Sequence, residues 1–257
     1  MTFSEIQIAF TTIVIKEIKR FSRIWIQTLL PPAITTILYF VIFGNLIGKA
    51  IGDMEGYNYS EFIAPGLIMM AIINNSYANV VSSFFGAKFH GNIQEMIISP
   101  LPSNIVLLGF LSGGVARGLL VGIIVTIVSM FFTDLHIYNL WIVISVVLLT
   151  SFLLALAGFI NAFYAKTFDG MNIVPIFILG PLTYLGGVFY SITMLPEFWQ
   201  KVSQLNPILY MVNGFRYGFL GIADTNISMT FLMLIVMNIA LYLYAFLLLK
   251  KGKGILD

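Results

Sequence analysis

Cysteine is absent and histidine occurs only twice among the 257 residues. That removes disulfide frameworks, cysteine-based zinc sites and thiol nucleophiles. Charge is scarce as well: Asp, Glu, Lys and Arg make up 9% of the chain, against about 25% in a soluble domain. A water-soluble globule of this size has too much surface for so few charges and would expose large apolar patches. An ordinary cytoplasmic enzyme domain is therefore excluded. No GxxxxGK[ST] loop is present to cradle phosphates, and neither HExxH nor GxSxG occurs. The net charge of +2 is too small to draw a nucleic acid.

What the chain has in plenty is apolar residues: 59% are hydrophobic, with 23 Phe and 12 Met, and the mean hydropathy is +0.97. Such a surface must face lipid, which requires spans of about 20 apolar residues. The charges punctuate the sequence so sharply that the gaps between them read as spans. Six are expected, at 26–48, 62–87, 105–133, 140–163, 173–195 and 227–249, which makes the chain a single all-α integral membrane domain over 1–257. An even number of crossings puts both termini on one side. With that side cytoplasmic, the inner segments hold Lys16, Lys19, Arg20, Arg23, Lys88, Lys166, Lys250, Lys251 and Lys253, and the outer ones only Lys49, Lys201 and Arg216. This asymmetry orients the chain with its termini in the cytoplasm. No cleavable signal peptide is expected, because the charges at 16–23 follow a mixed polar stretch without a compact apolar core.

Residues 1–25 read as an amphipathic helix lying in the cytoplasmic headgroup layer. Ile6, Phe10, Ile13, Val14, Ile18, Phe21 and Ile24 recur at helical spacing, with Lys16, Lys19, Arg20 and Arg23 on the other face. The alternative is a tail whose basic residues only set topology. The inner loop 88–104 has a helical pattern of its own: Phe89, Ile93, Met96 and Ile97 on one side, Asn92, Gln94 and Glu95 opposite, and Pro100 and Pro102 as a stop. A loop longer than the 2–8 residues a bundle connection needs can dock onto a partner, where the alternative is a mere connector.

Arg117 lies twelve residues into the third span, about 18 Å along a helix. A charge at that depth either faces the bundle interior or snorkels to the interface. Gly114 and Gly118 beside it form a GxxxG arrangement that admits a neighbouring helix closely. The LSGG run Leu111–Gly114 looks like an ATPase signature but lies in an apolar span with no phosphate loop in the chain. His90 and His136 fall on opposite sides of the membrane in this topology and cannot share a metal. No acidic residue lies inside a span, which argues against a proton- or sodium-driven carrier. Any driving force must come from elsewhere.

The last outer segment, 196–226, is rich in aromatic residues and broken by prolines. Pro181, Gly186, Gly187, Pro196 and Pro207 interrupt helix, and Glu197, Lys201 and Arg216 sit among Trp199, Tyr210, Phe215, Tyr217 and Phe219. It reads as short re-entrant helices half-inserted over the outer end of the bundle, where the alternative is an exposed loop.

Here the sequence resembles the permease subunits of type-2 ABC transporters. Leu179, Leu182, Leu185, Gly186 and Val188 fit that family's apolar and small-residue positions. Leu195-Pro196 follows after six residues, and Pro207-Ile208-x-Tyr210 leads after five more to Arg216. The runs PGLIMM (Pro65 to Met70), SSFFGAKF (Ser82 to Phe89) and TYLGGVFYS (Thr183 to Ser191) are similar to the YadH-type subgroup of bacterial inner-membrane permeases. The resemblance implies a homodimer in the bacterial inner membrane that pairs with a separate cytoplasmic ATPase. ATP is then used by that partner, and this chain binds no cofactor. It also implies that loop 88–104 is the coupling helix, with Lys88, Phe89, Asn92, Ile93, Glu95 and Met96 meeting the ATPase, and that the region of Pro196, Trp199, Pro207, Tyr210 and Arg216 forms the outer gate. The expected function is the membrane-spanning half of an ATP-driven exporter. A non-transporting scaffold that docks a cytoplasmic partner is the alternative, and a passive channel a third reading. The substrate is not legible beyond the hint that an aromatic-rich outer half suits something amphipathic.

Overall fold

In lipid an apolar run can satisfy its backbone only as helix or closed barrel, and the computed structural model, which describes residues 2–251 apart from the side chain of Ile97, is helical almost throughout. Met1 and Lys253 of the readings above lie outside the described residues. Helix α1 (Phe3–Arg23) opens on a capping box, in which Thr2 accepts from the Glu5 amide and the Glu5 carboxylate accepts from the Thr2 amide. A break at Ile24, φ −111° and ψ 37°, separates it from α2 (Trp25–Tyr39). With Pro31 and Pro32 inside it, α2 runs through a π-helical stretch, Phe40–Ile47, into α3 (Gly48–Ile51). Two short antiparallel strands, β1 (Asp53–Met54) and β2 (Tyr57–Asn58), turn the chain at Glu55 and Gly56, both with left-handed φ.

The long helix α4 (Tyr59–Phe89) follows, then α5 (Asn92–Ile98), α6 (Ser103–Ser129) and α7 (Leu140–Tyr164). Beyond them α8 (Phe168–Val174) passes through π-helical Pro175–Leu179 into α9 (Gly180–Tyr184). A loop and a 3₁₀ turn, Ile192–Met194, lead to α10 (Glu197–Gln204), α11 (Pro207–Leu220) and α12 (Ile227–Lys251). Five stretches are long and apolar enough to cross a membrane: Trp25–Ile51, Tyr59–Phe89, Ser103–Ser129, Leu140–Tyr164 and Ile227–Lys251.

Two expected boundaries differ. Residues 130–133 of the third span form turns whose amides bond back to Thr126, Val128 and Ser129. The stretch expected at 173–195 is instead helical from Phe168 to Tyr184. Asp169, which precedes the expected span, lies in the first turn of this helix: an acid there suits a helix N-terminus, where Thr167 also caps the Gly170 amide. Gly187, at φ +71°, then turns the chain away.

Helix α4 is the centre, buried on nearly every side between α6, α7 and α11, while α2 and α12 are the least covered. Glycines set the spacing. On α6, a β-carbon at Gly109 or Gly113 would meet Ile13 or Glu17 of α1, and one at Gly114, Gly118 or Gly122 would meet Val80, Ser76 or Ile72 of α4. The GxxxG pair thus packs against α4, with Gly113 and Gly114 of the LSGG run as two of its contacts. Ala245 and Leu249 near the end of α12 share an apolar cluster with Ile93 of α5 and Phe163 of α7, so the chain's last helix ends beside α5. At the opposite end, the Tyr57 hydroxyl donates to Leu220 O at 2.6 Å and that of Tyr59 to Phe189 O at 3.0 Å.

Candidate functional site

Helix α5 projects from one end of the bundle between α4 and α6. It begins after Gly91, whose left-handed φ of +79° ends α4 and reverses the chain. That break corrects the reading of one continuous apolar stripe. Phe89 belongs to α4, is 60% exposed, and packs against Phe85 and Phe168. Ile93 is fully buried in the cluster with Leu107 and Phe163 and so meets this bundle rather than a partner. Met96 is half-buried on the same side, and Asn92 and Glu95 point outward. Lys88 is not free either: its ammonium donates to Phe163 O at 2.6 Å and Ala165 O at 3.2 Å, a cap on the last carbonyls of α7. Of the six residues expected to meet an ATPase, Asn92, Glu95 and Phe89 form the exposed surface, while Lys88 and Ile93 hold α5 on the bundle.

The N-terminal helix is more deeply engaged than an interfacial helix would be. Glu17, flanked by Ile13 and Phe21 on the buried face, is itself fully buried. Its Oε1 accepts from Ser83 Oγ at 2.7 Å, and its Oε2 lies 3.5 Å from Arg20 Nε. Arg20 was expected to face anionic lipid; its guanidinium instead donates to Asn79 O and Oδ1, both at 2.8 Å, and to Ser82 Oγ at 3.3 Å. Lys16 lies over the Phe110 ring. The sequence reading of α1 assigned Glu17 no role, because it sorted that helix into apolar and basic residues alone. The signal was present, since Ile13, Glu17 and Phe21 share one face of α1, and Asn75, Asn79 and Ser83 share one face of α4.

One turn above that cluster is Arg117. It is the fifteenth of 27 residues of α6, and its Nη2 donates to Oδ1 of Asn75, midway along α4, at 2.8 Å. The guanidinium therefore stays at mid-bundle rather than snorkelling. Its Nε is buried with no hydrogen-bond partner among the described residues. The side chain borders a cavity of about 270 Å³ between α2, α4 and α6, with Gln27, Thr35, Thr36, Asn74 and Asn75 on its walls.

At the other end, Arg216 is not at an interface but fully buried in α11. Its Nη2 donates to Gly187 O at 2.6 Å and, more weakly, to Val188 O at 3.4 Å; its Nε reaches Phe62 O at 3.4 Å, and the guanidinium lies 4.0 Å from the Phe62 ring centroid. Asp224 completes the tie, accepting from Ser191 Oγ at 2.6 Å and the Ile192 amide at 3.1 Å. Arg216 thus fastens the Gly187 turn to α4 and α11. Pro207 starts α11 after Asn206, which caps the Ile208 amide, and buried Tyr210 donates its hydroxyl to Gln204 O at 2.8 Å. Pro196 starts the amphipathic α10, where Trp199 is 45% exposed.

A family model described as ABC-2 type transporter matches residues 8–220. The "Inner membrane transport permease YadH" of Escherichia coli (strain K12) is 55% identical over 249 residues, covering 96% of this chain and 97% of that one. "Nodulation protein J" of Neorhizobium galegae is 22% identical over 186 residues, 72% of this chain and 71% of its own. With the family model covering most of the chain and a relative aligned almost end to end, the chain belongs to the ABC-2 type transporter family as a YadH-type, multi-pass inner-membrane permease.

Proposed function

We propose that two copies of this chain form the membrane-spanning half of an ATP-driven exporter whose ATP is hydrolysed by separate cytoplasmic subunits docked on α5. The observation that carries the proposal is the asymmetry of α5: Ile93 is sunk into the bundle while Asn92 and Glu95 are exposed at its tip. A helix held so firmly transmits a push to α4 and α6 instead of yielding locally. The direction of transport follows the exporters that the C-terminal signature resembles.

The reading counts six crossings, the five long apolar stretches together with the α8–α9 run. Both ends of the chain then lie on the cytoplasmic α5 side. Helices α10 and α11 re-enter from the opposite side, and the Arg216 tie would set the stiffness of that outer gate. ATP-driven closure of the ATPase pair would move the α5 helices, shift the two bundles and release substrate outward.

The test is co-expression with a cytoplasmic ABC ATPase subunit, taken from a neighbouring reading frame where that frame carries a P-loop and LSGGQ. Glu95→Arg reverses a charge on the exposed face of α5 and is expected to lower co-purified ATPase and coupled ATP hydrolysis about tenfold or more, consistent with a disrupted polar interface contact. Membrane insertion stays normal. Unchanged co-purification and hydrolysis would remove α5 as the docking element.

A further inference from the structure

We infer that the cavity beside Arg117 seats the anionic head of an amphipathic molecule, one with a phosphate or carboxylate group and an apolar body that stays in the lipid along α2. The inference rests on the transport reading above and names the substrate class that reading leaves open. A guanidinium carries five N–H donors, and Arg117 makes one hydrogen bond among the described residues, to Asn75, with Nε left buried and unpaired. Arg216, whose Nη1 is likewise unpaired among the described residues, shows what a structural arginine looks like in this bundle: three carbonyls and an aromatic face surround it. Arg117 has no such cage.

A charge at that depth is met by another charge, by backbone carbonyls or by a polar cavity, and among the described residues Arg117 has the cavity but neither an ion pair nor a backbone carbonyl partner. Glu17 accepts from Ser83 and is ion-paired with Arg20, its Oε2 having no hydrogen-bond partner among the described residues, and the other described acids fall in loops, in β1, in α5 or in the first turns of helices. A second copy carries the same residues, so pairing of two chains cannot bring a carboxylate to this level either. Arg20 on Asn79, one turn from Asn75, adds a second cation to the same polar seam. The missing anion is most simply a ligand, and arginine's planar fork matches phosphate and carboxylate oxygens.

The shape of the cavity fits a head group rather than a whole molecule. At about 270 Å³ it falls below the range of pockets that enclose drug-sized ligands. Gln27, Thr35 and Asn74 offer exposed polar groups at its mouth. Beside it, α2 presents Leu30, Ile34 and Leu38 to the surroundings at i, i+4 and i+8, a track for an acyl or other apolar body.

The test uses the purified full chain in dodecyl maltoside and four probes: dihexanoyl phosphatidic acid, lauric acid, dihexanoylglycerol as the neutral control, and inorganic phosphate. The two anionic amphiphiles are expected to bind about 10- to 100-fold more tightly than dihexanoylglycerol, the range for a hydrogen bond to a charged group. Arg117→Gln should abolish that preference and Arg117→Lys retain part of it. If Arg117→Gln does not fold, Thr35→Trp fills the cavity with Arg117 in place and should abolish the preference equally. Equal binding of charged and neutral probes, or a preference that survives both Arg117→Gln and Thr35→Trp, overturns the inference. Full displacement by inorganic phosphate at the affinity of phosphatidic acid overturns its amphipathic half and leaves a free-anion seat. No ATPase takes part in this measurement, so its failure leaves the coupling reading standing, which Glu95→Arg tests alone.

Discussion

Replacing Glu17 by alanine should loosen α1 from the bundle without unfolding the rest. The carboxylate is fully buried, accepts from Ser83 Oγ at 2.7 Å, and lies 3.5 Å from Arg20 Nε and 3.7 Å from Lys16 Nζ. The bond from Ser83 to an ionised acceptor is worth about 1.5–3 kcal/mol. The two ion pairs add little, because Arg20 and Lys16 keep 29% and 49% of their side-chain surface exposed and solvent screens them, so about 0–1 kcal/mol is appropriate. Together these predict a loss of about 1.5–4 kcal/mol in the docking of α1, or roughly 10- to 900-fold faster hydrogen exchange of its amides. The assay is exchange mass spectrometry of the detergent-solubilised chain, with peptides from α7 as the internal reference. Glu17→Gln, which keeps an acceptor for Ser83, should show a smaller effect, and Glu5→Ala should speed exchange only near the capping box at the start of α1. If Glu17→Ala leaves α1 protected as in the wild type, the buried cluster contributes nothing to docking and its assignment is wrong.

Three further outcomes follow from the packing. Gly118→Leu drives a side chain into Ser76 of α4, and overpacking of about 1–3 kcal/mol or more should show as a lower Tm and a reduced yield of folded chain. Arg216→Met removes the donors to the Gly187 and Phe62 carbonyls, so proteolysis between 185 and 195 should accelerate while cleavage after α5 does not change. Because the chain lacks cysteine, Asn92→Cys and Trp199→Cys are clean reporters of topology. A membrane-impermeant maleimide should reach Trp199→Cys in spheroplasts and Asn92→Cys only in inverted vesicles, and the reverse pattern would invert the orientation.

Most of the helices were legible because their cause is one-dimensional. A membrane-spanning helix must be a long apolar run, and scarce charges mark where such runs stop. The same logic failed at Asp169 and Glu17. Asp169 opens a helix at a terminus that favours an acid, and Glu17 interrupts an apolar face because its partners arrive from another helix. Apolar spacing across 88–104 does not show where one helix ends and the next begins, nor which apolar residue meets the bundle and which stays exposed. Gly91 decides that by ending α4, after which Phe89 stays outside and Ile93 turns in.

The sequence by itself determined the medium, the class of fold and the family, since each depends on composition or on residues close together in the chain. Tertiary structure alone decided the roles of the three buried charges. Glu17 and Arg216 are fully buried and Arg117 partly so, and what separates them is the set of groups that α4, the cavity beside α2 and the Gly187 turn bring to each. Those groups lie between 28 and 154 residues away in sequence, so no local pattern could announce them.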